Sequence, residues 1–313
     1  MGKNENIRVA VVTGIEETTT FISNQLKEVS KFVDVYQLVN EKSKNNKKKY
    51  KVIVKTNNSL GFFKSFIIMI FLLLINNSFR NYVQKFLVGE KEKKLPFKIY
   101  ILLKHIDIFR NNIDLIHIHW AMVINEYYYM QKYFNIPIVC SLRGAHINYS
   151  PLVNKKLGET FKKIFPEIKG LHAVSNAIKK EAVKWNAIEN DIVVIYTDNR
   201  NDQKNISKSA ESYNDKYKIL SVGRDHWKKG YNYAIDCMSL LKKNIDIEYK
   251  IIGAKKNESI IFQINQLDLE NNITLEDSLP HEHVLQEISK ADVLLLPSVE
   301  EGIANVVIEA MSL

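Results

Sequence analysis

Twice along this chain, short apolar runs rich in β-branched residues alternate with stretches whose apolar residues recur every three to four positions. That alternation is the mark of parallel sheets with crossover helices, an α/β architecture. In the first series, strand-like runs fall at 7–12 (IRVAVV), 32–39, 50–54, 115–118, 138–142, 170–174 and 191–196, with a Thr13-Gly14 turn after the first. A helix is expected over about 19–30, with Phe21, Ile22 and Leu26 on its apolar face. After residue 118, Val123, Tyr127, Met130 and Phe134 line one helical face. Ser175 is a good N-cap for a helix that buries Ile178, Ala182 and Trp185.

Residues 199–216 (NRNDQKNISKSAESYNDK) are polar and almost lack large apolar side chains, which predicts a linker between domains at 1–198 and 217–313. The pattern then restarts, with strands at 217–222, 249–252 and 292–296 and helices near 230–242, 259–268 and 281–290. Ala234, Cys237, Met238 and Leu241 are the expected buried stripe of the first of these helices. Two such units imply a ligand cleft between them, since open α/β sheets bind ligands at the carboxyl ends of their strands. Leu313 falls inside an apparent helix with few strands after the linker, so the second domain is expected to be truncated.

Composition narrows the class. Of 313 residues, 46% are hydrophobic and 25% charged, which is globular rather than disordered. Cys140 and Cys237 stand far apart in apolar segments and read as buried free thiols in a reducing compartment. The net charge of +9 concentrates in lysines at 42–55 and around Lys91, Lys93 and Lys94. For any one lysine a solvated loop explains this, while the basic N-terminal half as a whole suits an anionic membrane surface. No recognised nucleic-acid motif accompanies the charge, so nucleic acid is not an expected partner. The start, MGKNENIRVAVV, runs directly into a strand with no secretory signal. The most apolar run, FIIMIFLLLI at 66–75, is ten residues long. Spanning a bilayer needs about 20, so a buried or interfacial helix is expected there.

The Gly-x-Gly-x-x-Gly, Gly-x4-Gly-Lys-[Ser/Thr] and Gly-x-Ser-x-Gly patterns are absent. His117 with His119, and His281 with His283, have ligand-like spacing, but no third and fourth ligands accompany either pair. Core or cap histidines, and no metal, are expected.

Two segments carry chemistry. In Pro297-Ser298-Val299-Glu300-Glu301-Gly302-Ile303-Ala304-Asn305, a strand end gives way to a Gly-containing loop and then to a helix near Asn305. The free N–H groups at a helix start suit a phosphate or an electron-rich sugar oxygen. Glu301 and Glu309, with seven residues between them, are expected to face one cleft. In Ser221-Val222-Gly223-Arg224-Asp225-His226-Trp227-Lys228-Lys229-Gly230, a loop with three cations leads from strand to helix. Arg224 has the fork geometry to grip a diphosphate and a lysine adds a point charge. An ordinary βα loop with solvated lysines is the bland account of this second segment taken alone.

Together these segments resemble glycosyltransferase family 4, the retaining group of the GT-B fold. The likeness extends over Glu17–Ile22, Leu115–Ala121, the Arg143–His146 loop, Ser175-Asn176, Gly-Arg…Lys-Gly and Pro-Ser…Glu-Gly…Glu-Ala-Met, of which the last two are specific. The resemblance implies two Rossmann-like domains with parallel sheets facing across a cleft. It implies a nucleoside-diphosphate sugar as donor, with Arg224 and Lys229 on the diphosphate and Glu309 on the ribose hydroxyls. Glu301 and the amides of Gly302, Ile303, Ala304 and Asn305 would contact the sugar, Glu301 rather than Glu300 because it gives the seven-residue gap. It implies no metal or other cofactor, a glycan or lipid-linked acceptor, surface-polysaccharide assembly, and a cytoplasmic enzyme at the inner face of the plasma membrane. Two departures stand out. Where many members have His-Gly-x-Asp, this chain has Arg143-Gly144-Ala145-His146, so Arg143 and His146 are the catalytic-site candidates there. The chain also stops at Leu313, where family members continue. A GT-B nucleotide-sugar epimerase, and a non-catalytic membrane-surface protein or inactive remnant, are the rival readings.

Overall fold

The computed structural model describes residues 6–16, 20–41, 50–55, 58–168, 170–196 and 216–313. The 199–215 part of the expected linker, the lysines at 42–49 and residues 17–19 lie outside the described residues. The chain forms two compact units, residues 1–196 and 197–313.

The first unit runs β1 (Arg8–Ile15), α1 (Thr20–Val29), β2 (Asp34–Glu41), β3 (Lys51–Val54), α2 (Ser59–Ile75), α3 (Asn77–Gly89), α4 (Leu95–Lys104), α5 (Ile106–Arg110), β4 (Leu115–Ile118), α6 (Ile124–Phe134), β5 (Ile138–Leu142), α7 (Gly144–Asn148), α8 (Ser150–Val153), α9 (Lys155–Ile164), β6 (Gly170–Ala173), α10 (Asn176–Lys184) and β7 (Ile192–Val194). Its seven strands are ordered β3-β2-β1-β4-β5-β6-β7, and every pairing among them is parallel. The order reverses between β1 and β4, so the ligand crevice of such a sheet lies at their carboxyl ends. β1, buried on both faces, reads as an unbroken apolar run (Val9 to Val12). The expected Thr13-Gly14 turn is instead an irregularity inside β1: pairing with β2 passes over Thr13, continues at Gly14 with Val39, and shifts again before Ile15 meets Glu41. Gln37 of β2 is fully buried and donates to Thr13 Oγ1 and to the carbonyls of Ile15 and Glu16, which satisfies the strand end.

The run 66–75, expected as a buried or interfacial helix, lies in α2 with most of its apolar side chains exposed. α2 buries only Ser65 and Met69, while Leu60, Phe63, Phe66, Ile67, Ile70, Phe71, Leu74 and Ile75 are all exposed. Asn76 breaks the helix and caps α3 by accepting from Phe79 N, and Arg80 donates back to the carbonyls of Leu73 and Leu74. The two helices meet at a bend of 113°. No single helix is long and apolar enough to cross a membrane among the described residues.

The second unit runs β8 (Tyr217–Val222), α11 (Tyr231–Leu241), β9 (Ile247–Ile252), α12 (Glu258–Gln266), β10 (Ile273–Glu276), α13 (His281–Lys290), β11 (Val293–Leu294) and α14 (Asn305–Met311). Its sheet, β10-β9-β8-β11, is also wholly parallel, with the reversal between β8 and β11. One face packs α11 and α12 around Tyr249 and Ile251, the other packs α13 and α14 around Leu220, Ile252 and Leu285.

Three expectations are corrected here. The buried stripe of α11 is Tyr231, Ala234, Ile235 and Met238; Cys237 and Leu241 are exposed. Tyr231 and Ile235 occupy the i and i+4 positions that close the face, which turns Cys237 outward, so of the two thiols only Cys140 is buried. The strand β10, four residues long, was absent from the sequence pattern. The last helix ends at Met311, where Ser312 donates to the carbonyls of Ile308 and Glu309, so Leu313 lies past the helix rather than within it.

Candidate functional site

In the second unit, both chemistry-bearing segments leave the sheet at its reversal point. The loop after β8 and the loop after β11 are tied by a backbone bond from Val299 N to Lys228 O, 2.8 Å. Their contact depends on Gly230. It has φ +65°, and a Cβ there would lie 2.1 Å from the carbonyl oxygen of Pro297, so only glycine lets the loops meet. At Gly223 a Cβ would lie 2.8 Å from Lys229 Cε and 2.9 Å from Tyr231 Oη. The Lys229 stem therefore lies across the strand end, and Tyr231 holds that end by donating to Gly223 O at 2.9 Å. Ser221, buried, donates to Leu295 O (2.6 Å) and shares a hydrogen bond with Tyr249 Oη (2.7 Å), which locks β8 against the residues after β11.

The structure brings Lys229 and Glu301 together, Nζ to Oε1 at 2.7 Å, with both side chains about four-fifths buried (18% and 20% exposed). It is Glu301 that makes this ion pair with Lys229, across 72 residues of sequence. Glu309, on α14, accepts or shares a proton with His281 Nε2 at 3.1 Å. Its side chain is 12% exposed. Arg224 is exposed and makes no side-chain hydrogen bond or ion pair among the described residues, while Asp225 beside it accepts from Asn257 Nδ2 at 2.6 Å. Gly302, Ile303 and Ala304 are half-buried loop residues, with Ala304 extended before α14 and no side chain capping that helix. Buried Ser298 Oγ and Asn305 Oδ1 have no hydrogen-bond partner among the described residues. A carboxylate–ammonium pair, a free guanidinium and unused donors and acceptors at a sheet's reversal point make a site for a polar, anionic ligand. Tyr231 and Asn257 were missed from sequence, where Ser221 figured only as the start of the loop motif and His281 only as a core or cap histidine. Only the position of Tyr231, directly after the αL glycine, signals a role.

In the first unit, Arg143 follows β5 and His146 lies in α7, packed edge-on to Trp120 with ring centroids 5.4 Å apart. The Arg143 guanidinium stacks 4.3 Å over Phe21, and burial lowers its pKa to about 10. His117 and His119, on one face of β4 and its exit, have rings 4.3 Å apart. Burial, then the charges of His172 and Arg143, pushes His117 down to about 4. His119 is driven well below its usual range by burial, His117, Arg143 and His172. Among the described residues, no group of three or more His, Cys, Asp or Glu side chains is placed to share a metal ion.

Each unit is thus an open parallel sheet whose reversal point gathers charged and unsatisfied groups, the construction of Rossmann-like ligand-binding domains. Residues 202–313 match the model of the family "Glycosyl transferases group 1". Over 238 residues the chain is 25% identical to the putative teichuronic acid biosynthesis glycosyltransferase TuaC of Bacillus subtilis (strain 168). The match covers 72% of this chain and 57% of that relative, so the chain spans little more than half of its length. Among solved structures, sucrose-phosphate synthase from Thermosynechococcus elongatus superposes with a TM-score of 0.68 at 14% identity, covering 97% of this chain and 79% of the other. Anabaena HepE in complex with UDP and glucose does so with a TM-score of 0.66, also at 14% identity, covering 98% and 78%. The fold is that of the GT-B glycosyltransferases.

Proposed function

We propose that this protein is a retaining glycosyltransferase that moves a sugar from a nucleoside-diphosphate sugar to an acceptor hydroxyl in polysaccharide assembly. The observation that carries this is the joined loop pair of the second unit: Arg224 free, Lys229 paired with Glu301, and Glu309 fixed on α14, within a matched group 1 domain. Bond breaking leaves negative charge on the departing diphosphate and positive charge on the sugar. Arg224 and Lys229 oppose the first, and the Glu301 carboxylate opposes the second, as preorganised charges that cost no reorganisation at the moment of reaction. Lys229 has three N–H donors, so its bond to Glu301 leaves two for phosphate oxygens. Glu309 accepts from the ribose hydroxyls and His281 holds its carboxylate in place. The cations take the part a metal ion plays elsewhere, so the reaction proceeds with no cofactor. The first unit, with Arg143 and His146, receives the glycan or lipid-linked acceptor.

The relative's name, teichuronic acid biosynthesis, supports a surface polysaccharide as the product. The exposed apolar face of α2, with Lys64, Arg80 and Lys85 close by in sequence, supports a cytoplasmic enzyme held peripherally at the inner, anionic face of the plasma membrane. Incubation with a panel of nucleoside-diphosphate sugars and lipid or glycan acceptors, followed by NMR of the product, tests the reaction. An anomeric configuration equal to the donor's is expected. Inversion, or epimerisation of the donor without transfer, would overturn it.

A further inference from the structure

Among the described residues of the first unit, three imidazoles and one guanidinium gather in a pocket with no carboxylate ion-paired to any of them. Ser141 of β5 sits between two imidazoles, His117 Nε2 at 2.9 Å and His172 Nδ1 at 3.0 Å. The other nitrogen of His172 lies 3.1 Å from the carbonyl oxygen of Ile195. A carbonyl only accepts, so His172 Nε2 carries a proton and, in the neutral ring, Nδ1 accepts one from Ser141. Ser141 in turn accepts from His117 Nε2. This chain of bonds satisfies both imidazoles in their neutral form and leaves two groups over.

The first is Arg143. Its guanidinium touches the face of Phe21, but it makes no hydrogen bond or salt bridge among the described residues, and its buried Nε has no partner. Stacking uses one face of the group and none of its five N–H donors. The second is His119, 1% exposed, whose Nδ1 is buried without a partner. Burial, then His117, Arg143 and His172, hold the pKa of His119 well below its usual range, and Arg143 is the one of these groups that carries charge at neutral pH. The neighbouring thiol of Cys140 is pushed up to about 12 by burial and supplies no counter-charge at neutral pH. A half-buried guanidinium with no anion among the described residues is a costly arrangement unless a ligand completes it. The pocket lies at the carboxyl ends of β4, β5 and β6, adjoining the β1/β4 reversal where a sheet of this order binds its ligand.

We propose that Arg143 and His119 bind an oxyanion carried by the acceptor, a carboxylate or a phosphate, which makes the acceptor an acidic sugar or a sugar phosphate. Arg143 takes two oxygens of the group through parallel N–H bonds, and His119 donates to it as the imidazolium that the anion stabilises. The inference rests on assigning the acceptor to the first unit.

The test is calorimetric titration of the full chain with methyl glucuronide, glucose 6-phosphate and methyl glucoside. Wild-type, Arg143→Gln, Arg143→Lys and Arg224→Ala proteins are compared, and nucleoside-diphosphate binding is measured on each. At least one charged sugar is expected to bind 10-fold or more tightly than methyl glucoside, and which one does so separates carboxylate from phosphate. Arg143→Gln should abolish that preference, Arg143→Lys should retain part of it, and Arg224→Ala should leave it intact. Retained nucleoside-diphosphate binding by Arg143→Gln shows that this variant is folded. Equal affinity for charged and neutral sugars, or a preference lost through Arg224→Ala and kept in Arg143→Gln, overturns the oxyanion site while leaving the transferase proposal standing. Absence of nucleoside-diphosphate binding in the wild-type protein overturns both.

Discussion

Gly230→Ala tests whether the two loops of the second unit form one site. The added Cβ meets Pro297 O at 2.1 Å, so the loops must separate by about 1 Å or more to reach ordinary contact. Holding alanine at φ +65° costs about 1–2 kcal/mol. Loss of the Val299–Lys228 bond adds about 1 kcal/mol, giving about 2–3 kcal/mol in all. In urea, with a slope of about 1–2 kcal/mol per molar for a unit of this size, the midpoint should fall by about 1–3 M. Because Lys229 and Glu301 ride on the two loops, nucleoside-diphosphate affinity should fall with it. Cys237→Ala, on the exposed side of α11, is the control and should change stability by about 0.5 kcal/mol or less. An unchanged midpoint and unchanged affinity in Gly230→Ala would refute the joined-loop geometry.

Further outcomes follow from the same coordinates. His105 and His117 are held near 3 and 4 by burial, against about 6.5 unfolded, so both stay neutral in the folded state at neutral pH. Their stability contribution is complete above about pH 6.5 and is lost as pH falls towards 4 and then 3, by about 2 kcal/mol each at pH 5. The raised Asp107 carboxyl offsets part of this, and a melting temperature that is flat from pH 7.5 to 5 would contradict the burial of these rings. Glu301→Gln should lower turnover about 10-fold or more with donor affinity little changed, whereas Lys229→Ala should weaken donor binding; steady-state kinetics separate the two, and damage from Glu300→Gln alone would shift the register by one residue. Replacing Ile67 and Phe71 together by Glu should abolish salt-sensitive sedimentation with anionic vesicles while the protein stays folded, and binding unaffected by the change would remove α2 from the membrane face.

Much of the sheet was legible because parallel strands buried on both faces are continuous apolar runs, as in Val9–Val12 and residues 138–142. The helices of 77–110 and 144–164 were not. Most are ten residues or fewer, and only α3 and α9 begin on an Asn cap, so no long periodic stripe marks them. Arg224, Lys229, Glu301 and Glu309 were found through loop motifs, since a strand end, a glycine and a cation in fixed spacing leave a trace in one dimension. Their partners did not leave one. The Lys229–Glu301 and His281–Glu309 pairs join residues 72 and 28 positions apart, and His117–Ser141–His172 joins three strands, contacts that only strand order creates. The same applies to Arg143, which sequence flagged as a departure and which has no carboxylate partner among the described residues.

The central claim, that the loop pair after β8 and β11 binds a nucleoside diphosphate through Arg224 and Lys229, is tested most directly by calorimetry in the presence of a chelator. Wild-type protein and Arg224→Ala are titrated with a nucleoside diphosphate and with the matching nucleoside. Binding should survive chelation, and Arg224→Ala should weaken the diphosphate by about 1.5–3 kcal/mol, roughly 10- to 150-fold, with the nucleoside little affected. Equal losses for both ligands, or diphosphate binding abolished by the chelator, would contradict it.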